Sequence, residues 1–377
     1  MSSERRTLGL YIHVPFCIRK CAYCDFLSVP DLTLADAYLS ALLAEMRGTP
    51  DPVRAIPVDS IYIPGGTPSV LPKSAVREIL KTAGEVFSVM PGAEITMEMN
   101  PGAADGYPED AGITRLSIGL QSLDDRLLHT LGRIHTREEA VRTIGKMRRT
   151  VGNLSVDLMM GLPGQTPEDL AETIEGAAAL GPDHISCYSL SIEEGTPFYR
   201  LYDPACGTER EELPDEETER EMYHAAVRQL AELGYQRYEI SNFAKPGFES
   251  RHNLRYWRRE DYLGFGPGAA SFVSETRWEN EADVAGYCTH GAVKIGIVHL
   301  DRDAQMEETM FLGLRLTEGV SDRRFRETFG TGLMEEYGGV IRRHVSEGLL
   351  RFRDGILTLT DRGIDISNTV LADFLKD

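Results

Sequence analysis

From residue 8 to residue 190, short apolar and β-branched runs alternate with longer stretches in which apolar residues recur every three or four positions. That alternation predicts βαβ units around a parallel sheet. Six strands are expected: LGLYIHV from Leu8, SIYI from Ser60, ITMEM from Ile95, RLSIGL from Arg115, LSVDLMM from Leu154 and HISCYSL from His184. Thr33 is expected to cap a helix carrying Leu39, Leu42, Leu43 and Met46 on one face, and Lys73 to Val86 repeats the helical pattern. Six such units predict an α/β fold, a partial (β/α)6 barrel, with ligands at the carboxyl ends of its strands.

Beyond the sixth strand the pattern changes. Asp203 to Glu219 is acidic and polar and predicts a loop running into a helix; YEISNFAKPGFES predicts a strand and a loop; LGFGPGAASF predicts a glycine-rich turn region. From Asp303 three helical patterns precede two strand candidates, LLRFR and ILTLT, joined by Asp354-Gly355, a hairpin dipeptide. This is the outline of a small, mainly helical winged-helix-like domain. The chain thus divides into 1-200, the partial barrel; 201-300, an extension of it; and 301-377, the C-terminal domain.

Composition narrows the function classes. Hydrophobic residues make up 42% of the 377 and charged residues 26%, as in an ordered globular protein. The N-terminus MSSERRTLGLYI lacks an export pattern, so the cytoplasm is the expected location. A net charge of -19 argues against a nucleic-acid partner, which needs a basic face. It therefore also weakens a nucleic-acid-modifying reading of the winged-helix-like tail.

Six cysteines in such a chain point to metal or redox chemistry before disulfides. Cys17, Cys21 and Cys24 form a CxxxCxxC run on the loop leaving the first strand, whereas Cys187, Cys206 and Cys288 are scattered and expected to be inert. Three thiolates satisfy three irons of a [4Fe-4S] cluster and leave the fourth open to a ligand. A zinc site is the competing account, although zinc takes four ligands and favours CxxC pairs.

CxxxCxxC after a first strand resembles the signature of the radical S-adenosylmethionine (SAM) proteins. YIHVPFCIRKCAYCDF, GGTPS, RLSIGLQS, LGRIH, VDLMMGLPGQT and HNLRYW further resemble the oxygen-independent coproporphyrinogen III oxidase-like group, and HNLRYW its heme chaperones. The resemblance covers the whole chain. It implies a cluster on Cys17, Cys21 and Cys24, SAM on its open iron, and contacts to SAM from Tyr11, Gly65, Gly66, Thr67, Glu98, Gln121, Arg133 and Asp157, with weaker transfers at Tyr23 and Ser191. On the residues alone, a lone Gly65-Gly66 pair reads first as an ordinary tight turn. Asp157 in an apolar strand must be paired or face a ligand, and an ion pair with Arg133 competes. Relatives carry a third glycine where this chain has Pro64, and Asp25-Phe26 stands where the oxidase continues to a further cysteine. The oxidase's long N-terminal extension also has no counterpart.

RHNLRYWRR gathers His252, Tyr256 and Trp257 with Arg251, Arg255, Arg258 and Arg259, an axial ligand, stacking rings and propionate-binding guanidiniums for heme, or else a satisfied histidine on a solvated basic face. The implied function is a heme chaperone that delivers heme to acceptor hemoproteins. The alternative is an enzyme that cleaves SAM to act on a tetrapyrrole. No catalytic residue is assigned, and an electron donor, peripheral membrane contact and a homodimer stay open.

Overall fold

The computed structural model describes residues 6–106, 110–202 and 213–376. All six expected strands form, as β1 (Leu8–Ile12), β2 (Val58–Ile63), β3 (Val89–Met99), β4 (Arg115–Gln121), β5 (Asn153–Met160) and β6 (His184–Ser189). They lie side by side in chain order, every pair parallel. Helices Ala35–Arg47, Lys73–Val86, Arg137–Met147 and Pro167–Ala179 make four of the five crossovers, all but that from β3 to β4. Two begin with capping boxes at Thr136 and Thr166, whose hydroxyls accept from the Glu139 and Asp169 amides. Thr33 does not cap the first: Asp31 accepts from the Thr33 amide and starts a 3-10 turn, Leu32–Leu34, that runs into the helix. The Thr33 hydroxyl itself donates to Asp31 Oδ1 at 2.6 Å and so is turned away from the helix amides.

The sheet continues past residue 200 at both ends. After β6 come β7 (Gln236–Arg237) and β8 (Asn242–Ala244), β8 antiparallel to β6. The glycine-rich stretch expected to be a turn region instead supplies β9 (Tyr262–Phe265) and β10 (Ala270–Val273) around a short turn. β9 pairs parallel with β1, and β10, β11 (Thr276–Asn280) and β12 (Lys294–His299) add antiparallel strands. Tertiary pairing overrides the weak strand propensity of glycine and alanine here. The result is one open twelve-stranded mixed sheet, β12-β11-β10-β9-β1-β2-β3-β4-β5-β6-β8-β7, not closed into a barrel.

Strand alternation separates two faces. Leu10, Ile61, Met97, Leu116, Ile118, Val156, Leu158 and Ile185 turn toward the crossover helices and are essentially inaccessible. The alternate positions on β2 to β6 (Ser60, Tyr62, Thr96, Glu98, Arg115, Ser117, Asp157, Ser186 and Tyr188) make a polar inner face.

The helix Arg251–Trp257 plugs the amino-terminal end of that face. Ser250 caps it, the Glu94 carboxylate accepts from the Arg251 and His252 amides at 3.3 Å each, and His252 meets Ser60 on β2. Its far end is tied to the C-terminal region: Arg258 pairs with Glu318, Arg259 with Glu308, and Arg315 lies over the Trp257 ring.

That region has its own core around Met306, Met310, Phe325, Leu357 and Phe374. Before its hairpin stand helices Arg302–Gly313, Asp322–Phe329, Leu333–Glu336 and Gly338–Ser346, one more than the three helical patterns, and helices Asp361–Asp365 and Ser367–Ala372 come after it. The expected hairpin follows as β14 (Leu350–Arg353) and β15 (Ile356–Leu359), joined by β13 (Val320–Ser321). Asp354 and Gly355 both have positive φ, 51° and 75°, the demand of a I′ turn. Among the described residues no helix is long and apolar enough to cross a membrane.

Candidate functional site: a cysteine loop over a polar cavity

The cysteine loop is held by backbone, and the GGT segment is what holds it. Val14 donates to the Pro64 carbonyl (2.9 Å), Gly66 to Val14 (2.9 Å) and Thr67 to Phe16 (2.7 Å). A Cβ on Gly65, which has φ 126°, would stand 2.3 Å from the Val14 oxygen, and one on Gly66 2.4 Å from the Phe16 oxygen. Both glycines are therefore required by this close approach. Pro64 takes part only through its carbonyl, so its missing N–H removes nothing.

The three thiols point to the mouth of a cavity of about 440 Å³ at the carboxyl ends of β2 to β6. Its lining includes Cys17, Cys21, Tyr23, Cys24, Gly65, Gly66, Glu98, Gln121, Arg133, Asp157 and Ser191, eleven of the fourteen expected site residues. Thr67 stands just behind, its Oγ1 3.2 Å from Cys17 Sγ and accepting from Asn100 at 2.7 Å. Tyr11 is half-buried beside it, against Tyr62 and His13. The Cys206 expectation falls outside the described residues; Cys187 is buried and Cys288 partly so.

Arg133 bridges loop and sheet. It donates to the Gly119 carbonyl (2.7 Å), to Asn100 Oδ1 and to Cys21 Sγ (3.6 Å). It makes no ion pair with Asp157, whose two oxygens instead accept from the Ser117 hydroxyl at 3.1 Å each. The competing account of those two residues is thus replaced by two separate roles, and the Arg133 cation lies against the thiols. Gln121 ends β4 with φ 66° at an irregularity in the β4–β5 register. A non-glycine residue held there stores strain of about 1–3 kcal/mol, as functional sites often do.

Burial governs the acids. It pushes the Glu98 carboxyl up to about 7, only partly opposed by the hydrogen bond from Tyr62, and raises Asp157 as well. Burial also raises the Cys17 thiol and lifts Cys24 to about 11. Because Glu98 is shifted upward, the native state binds the extra proton between the ordinary carboxyl range and about 7. The stability it contributes is therefore present at low pH and lost as pH rises through that window. Buried His252, held down to about 3, acts oppositely, so the total pH profile mixes both. Glu98→Gln isolates the effect: the wild type minus variant stability difference should fall from pH 4.5 to 7 and flatten above, as read by chemical denaturation. A flat difference would show Glu98 to titrate normally.

His252 does not reach the cavity. It is fully buried, Nδ1 3.0 Å from Ser60 Oγ and Nε2 2.9 Å from Tyr256 Oη, so both ring nitrogens are already engaged. The candidate axial ligand thus lies apart from the residues that line the cavity. Arg255, 2% exposed, binds Asp59, Thr7 and the Asp261 carbonyl, and so is no propionate clamp. From the whole motif only Asn253 lines the cavity. The sequence reading missed Tyr62, Asn100, Arg115, Ser117, Ser186 and Tyr188, which line it too. Their signal was present: a parallel sheet buried on both faces reads as continuous apolar runs, and these strands alternate polar with apolar.

These residues fit the groups that a CxxxCxxC loop implies. Among the described residues no three His, Cys, Asp or Glu side chains converge on a point for one metal ion, whereas a four-iron cluster takes its thiolates on separate irons. Behind the thiols, Glu98 and Asp157 suit an ammonium group or ribose hydroxyls.

Comparisons with known proteins agree with this geometry. The model of the radical SAM superfamily matches residues 11–177 and that of the HemN C-terminal domain residues 300–366. The chain is similar to the heme chaperone HemW of Bacillus subtilis, 38% identical over 97% of this chain and 99% of that one, and to HemW of Lactococcus lactis, 34% identical over 97% of each. Among solved structures it shares the fold of HemN, a coproporphyrinogen III oxidase and radical SAM enzyme from Escherichia coli, with a TM-score of 0.82 at 22% identity over 98% of this chain and 90% of that one. By its cysteine loop, its sheet and these full-length likenesses, the chain belongs to the HemN-like radical SAM proteins, within the HemW family.

Proposed function

We propose that this chain is a heme chaperone, which binds heme beside a SAM-liganded [4Fe-4S] cluster and hands the heme to acceptor hemoproteins in the cytoplasm. The observation that carries this reading is the end-to-end likeness to relatives named heme chaperones. Cys17, Cys21 and Cys24 would hold the cluster, which when bound would offer an open coordination position to SAM and could supply an electron for its cleavage. Gly65 and Gly66 fix the loop, Arg133 places positive charge beside Cys21, and Glu98, Gln121 and Asp157 orient SAM from the sheet, with Tyr11, Tyr23, Thr67 and Ser191 around them.

A second reading is favoured by one feature, the fully assembled polar cavity with its strained Gln121: a radical SAM enzyme acting on a tetrapyrrole. Anaerobic reconstitution with heme, SAM and a reductant separates the two. The chaperone binds about one heme per chain with little 5′-deoxyadenosine released; repeated SAM cleavage coupled to loss of the tetrapyrrole makes the chain an enzyme. In the same assay His252→Ala should lower the melting temperature yet leave the heme spectrum unchanged. A changed spectrum with unchanged melting would restore His252 as an iron ligand.

A further inference from the structure

Arg115 opens β4 on the inner face and lines the cavity, yet only 3% of it is exposed. Among the described residues its guanidinium makes no hydrogen bond and no ion pair, and its Nε is buried without a partner. Arg255 also leaves its Nε unpaired, but its terminal nitrogens reach Asp59, Thr7 and Asp261, and those of Arg133 reach Gly119, Asn100 and Cys21. A guanidinium removed from water is costly unless paired, and this one carries five donors in a planar fork. Two carboxylates share the inner face and feel the charge of Arg115, but neither lies within hydrogen-bond or ion-pair distance of it; Glu98 accepts from Tyr62 and Asp157 from Ser117. The neighbour across β3, Thr96, is fully buried with its Oγ1 also unpaired; the neighbour across β5, Asn153, offers one unpaired oxygen. That oxygen can satisfy only one or two of the five donors.

A buried, unpaired fork facing a ligand cavity matches one chemistry above others, a planar carboxylate bound through two parallel hydrogen bonds. We propose that Arg115 is the carboxylate receptor on the cavity floor and that it takes a propionate of the bound tetrapyrrole. The inference rests on the heme-binding reading. SAM carries a carboxylate as well, but that group is taken, with its ammonium, by the open iron in the cluster reading above. The tetrapyrrole side chains are then the carboxylates left for Arg115.

The test compares heme with its dimethyl ester, which lacks both propionate charges, on the cluster-loaded chain. Absorbance titration gives both affinities, equilibrium dialysis gives that of SAM, and thermal melting monitors the fold. Wild type should prefer heme to the ester by about tenfold or more, the scale of a charged hydrogen-bonded pair. Arg115→Met should abolish the preference by weakening heme alone, Arg115→Lys should keep part of it, and SAM affinity should hold in both. If the preference survives in Arg115→Met, or if that variant weakens SAM instead, the assignment is wrong, and in the latter case SAM's carboxylate is the occupant. Should Arg115→Met fail to fold, the wild-type comparison and Arg115→Lys still decide: equal affinity for heme and ester overturns the proposal. No binding of either porphyrin by wild type would instead remove the heme reading itself.

Discussion

A chain carrying Gly66→Ala should lose most of its iron-sulfur cluster although all three cysteines remain. The added Cβ would lie 2.4 Å from the Phe16 oxygen and 2.7 Å from its carbonyl carbon, and these are backbone atoms that cannot swing aside. The chain must open the contact, which breaks the Thr67-to-Phe16 hydrogen bond next to Cys17. Overpacking of this kind costs about 1–3 kcal/mol, and here the strain falls on the loop that sets the thiol positions. Iron and sulfide content after reconstitution should drop to less than about half of wild type, with the three-thiol count intact; the threshold reflects a cost of ~1 kcal/mol or more against loading. Gly145→Ala is the control: a Cβ there meets nothing within 4 Å in the helix Arg137–Met147, and replacing a helical glycine should stabilise slightly. Full cluster loading in Gly66→Ala would show that the loop tolerates displacement and that GGT does not hold it.

Arg255→Met should cost about 3–5 kcal/mol of stability, the usual consequence of removing one member of a buried ion pair. The guanidinium is 2% exposed and answers Asp59, the Thr7 hydroxyl and the carbonyls of Thr7 and Asp261, tying the plug helix to β1, β2 and the start of β9. Methionine fills much of the volume, so the loss reads the polar network rather than a void. Denaturant titration of wild type and variant, without cluster or porphyrin, measures it. A difference under about 1 kcal/mol would mean that the network is replaceable by water, as exposed pairs often are.

Much of this site was legible because chemistry and spacing coincide in short windows. Cys17, Cys21 and Cys24 announce themselves within eight residues, and Gly65, Glu98, Gln121 and Asp157 each sit at or near the end of a strand whose apolar run is readable. Ligands of parallel sheets gather at such ends, so the cavity followed. The RHNLRYW segment went the other way. Four arginines and a histidine in nine residues resemble a solvated or ligand-facing patch, and nothing local reveals that Arg255 and His252 are buried. Their partners, Asp59, Ser60, Glu94 and Thr7, lie between 158 and 248 positions away, and only the fold brings them together. The same holds for LGFGPGAASF, whose glycines read as a turn but whose place beside β1 makes β9 a strand.

The order of the strands also sets a timetable for biogenesis. β1 is among the first segments to leave the ribosome, yet its second neighbour, β9, is encoded about 250 residues later; β6 likewise waits for β8. At the usual pace of translation that delay is on the order of ten seconds to a minute. Throughout it the nascent sheet shows two unpaired edges, the kind that recruits other chains. A fragment ending near residue 200, although it contains all three thiols of the cysteine loop and nearly all the cavity wall, should therefore be prone to aggregate. Iron-sulfur loading is then expected for the nearly finished polypeptide, when the plug helix and β9 have closed around the strand that leads into the cysteine loop.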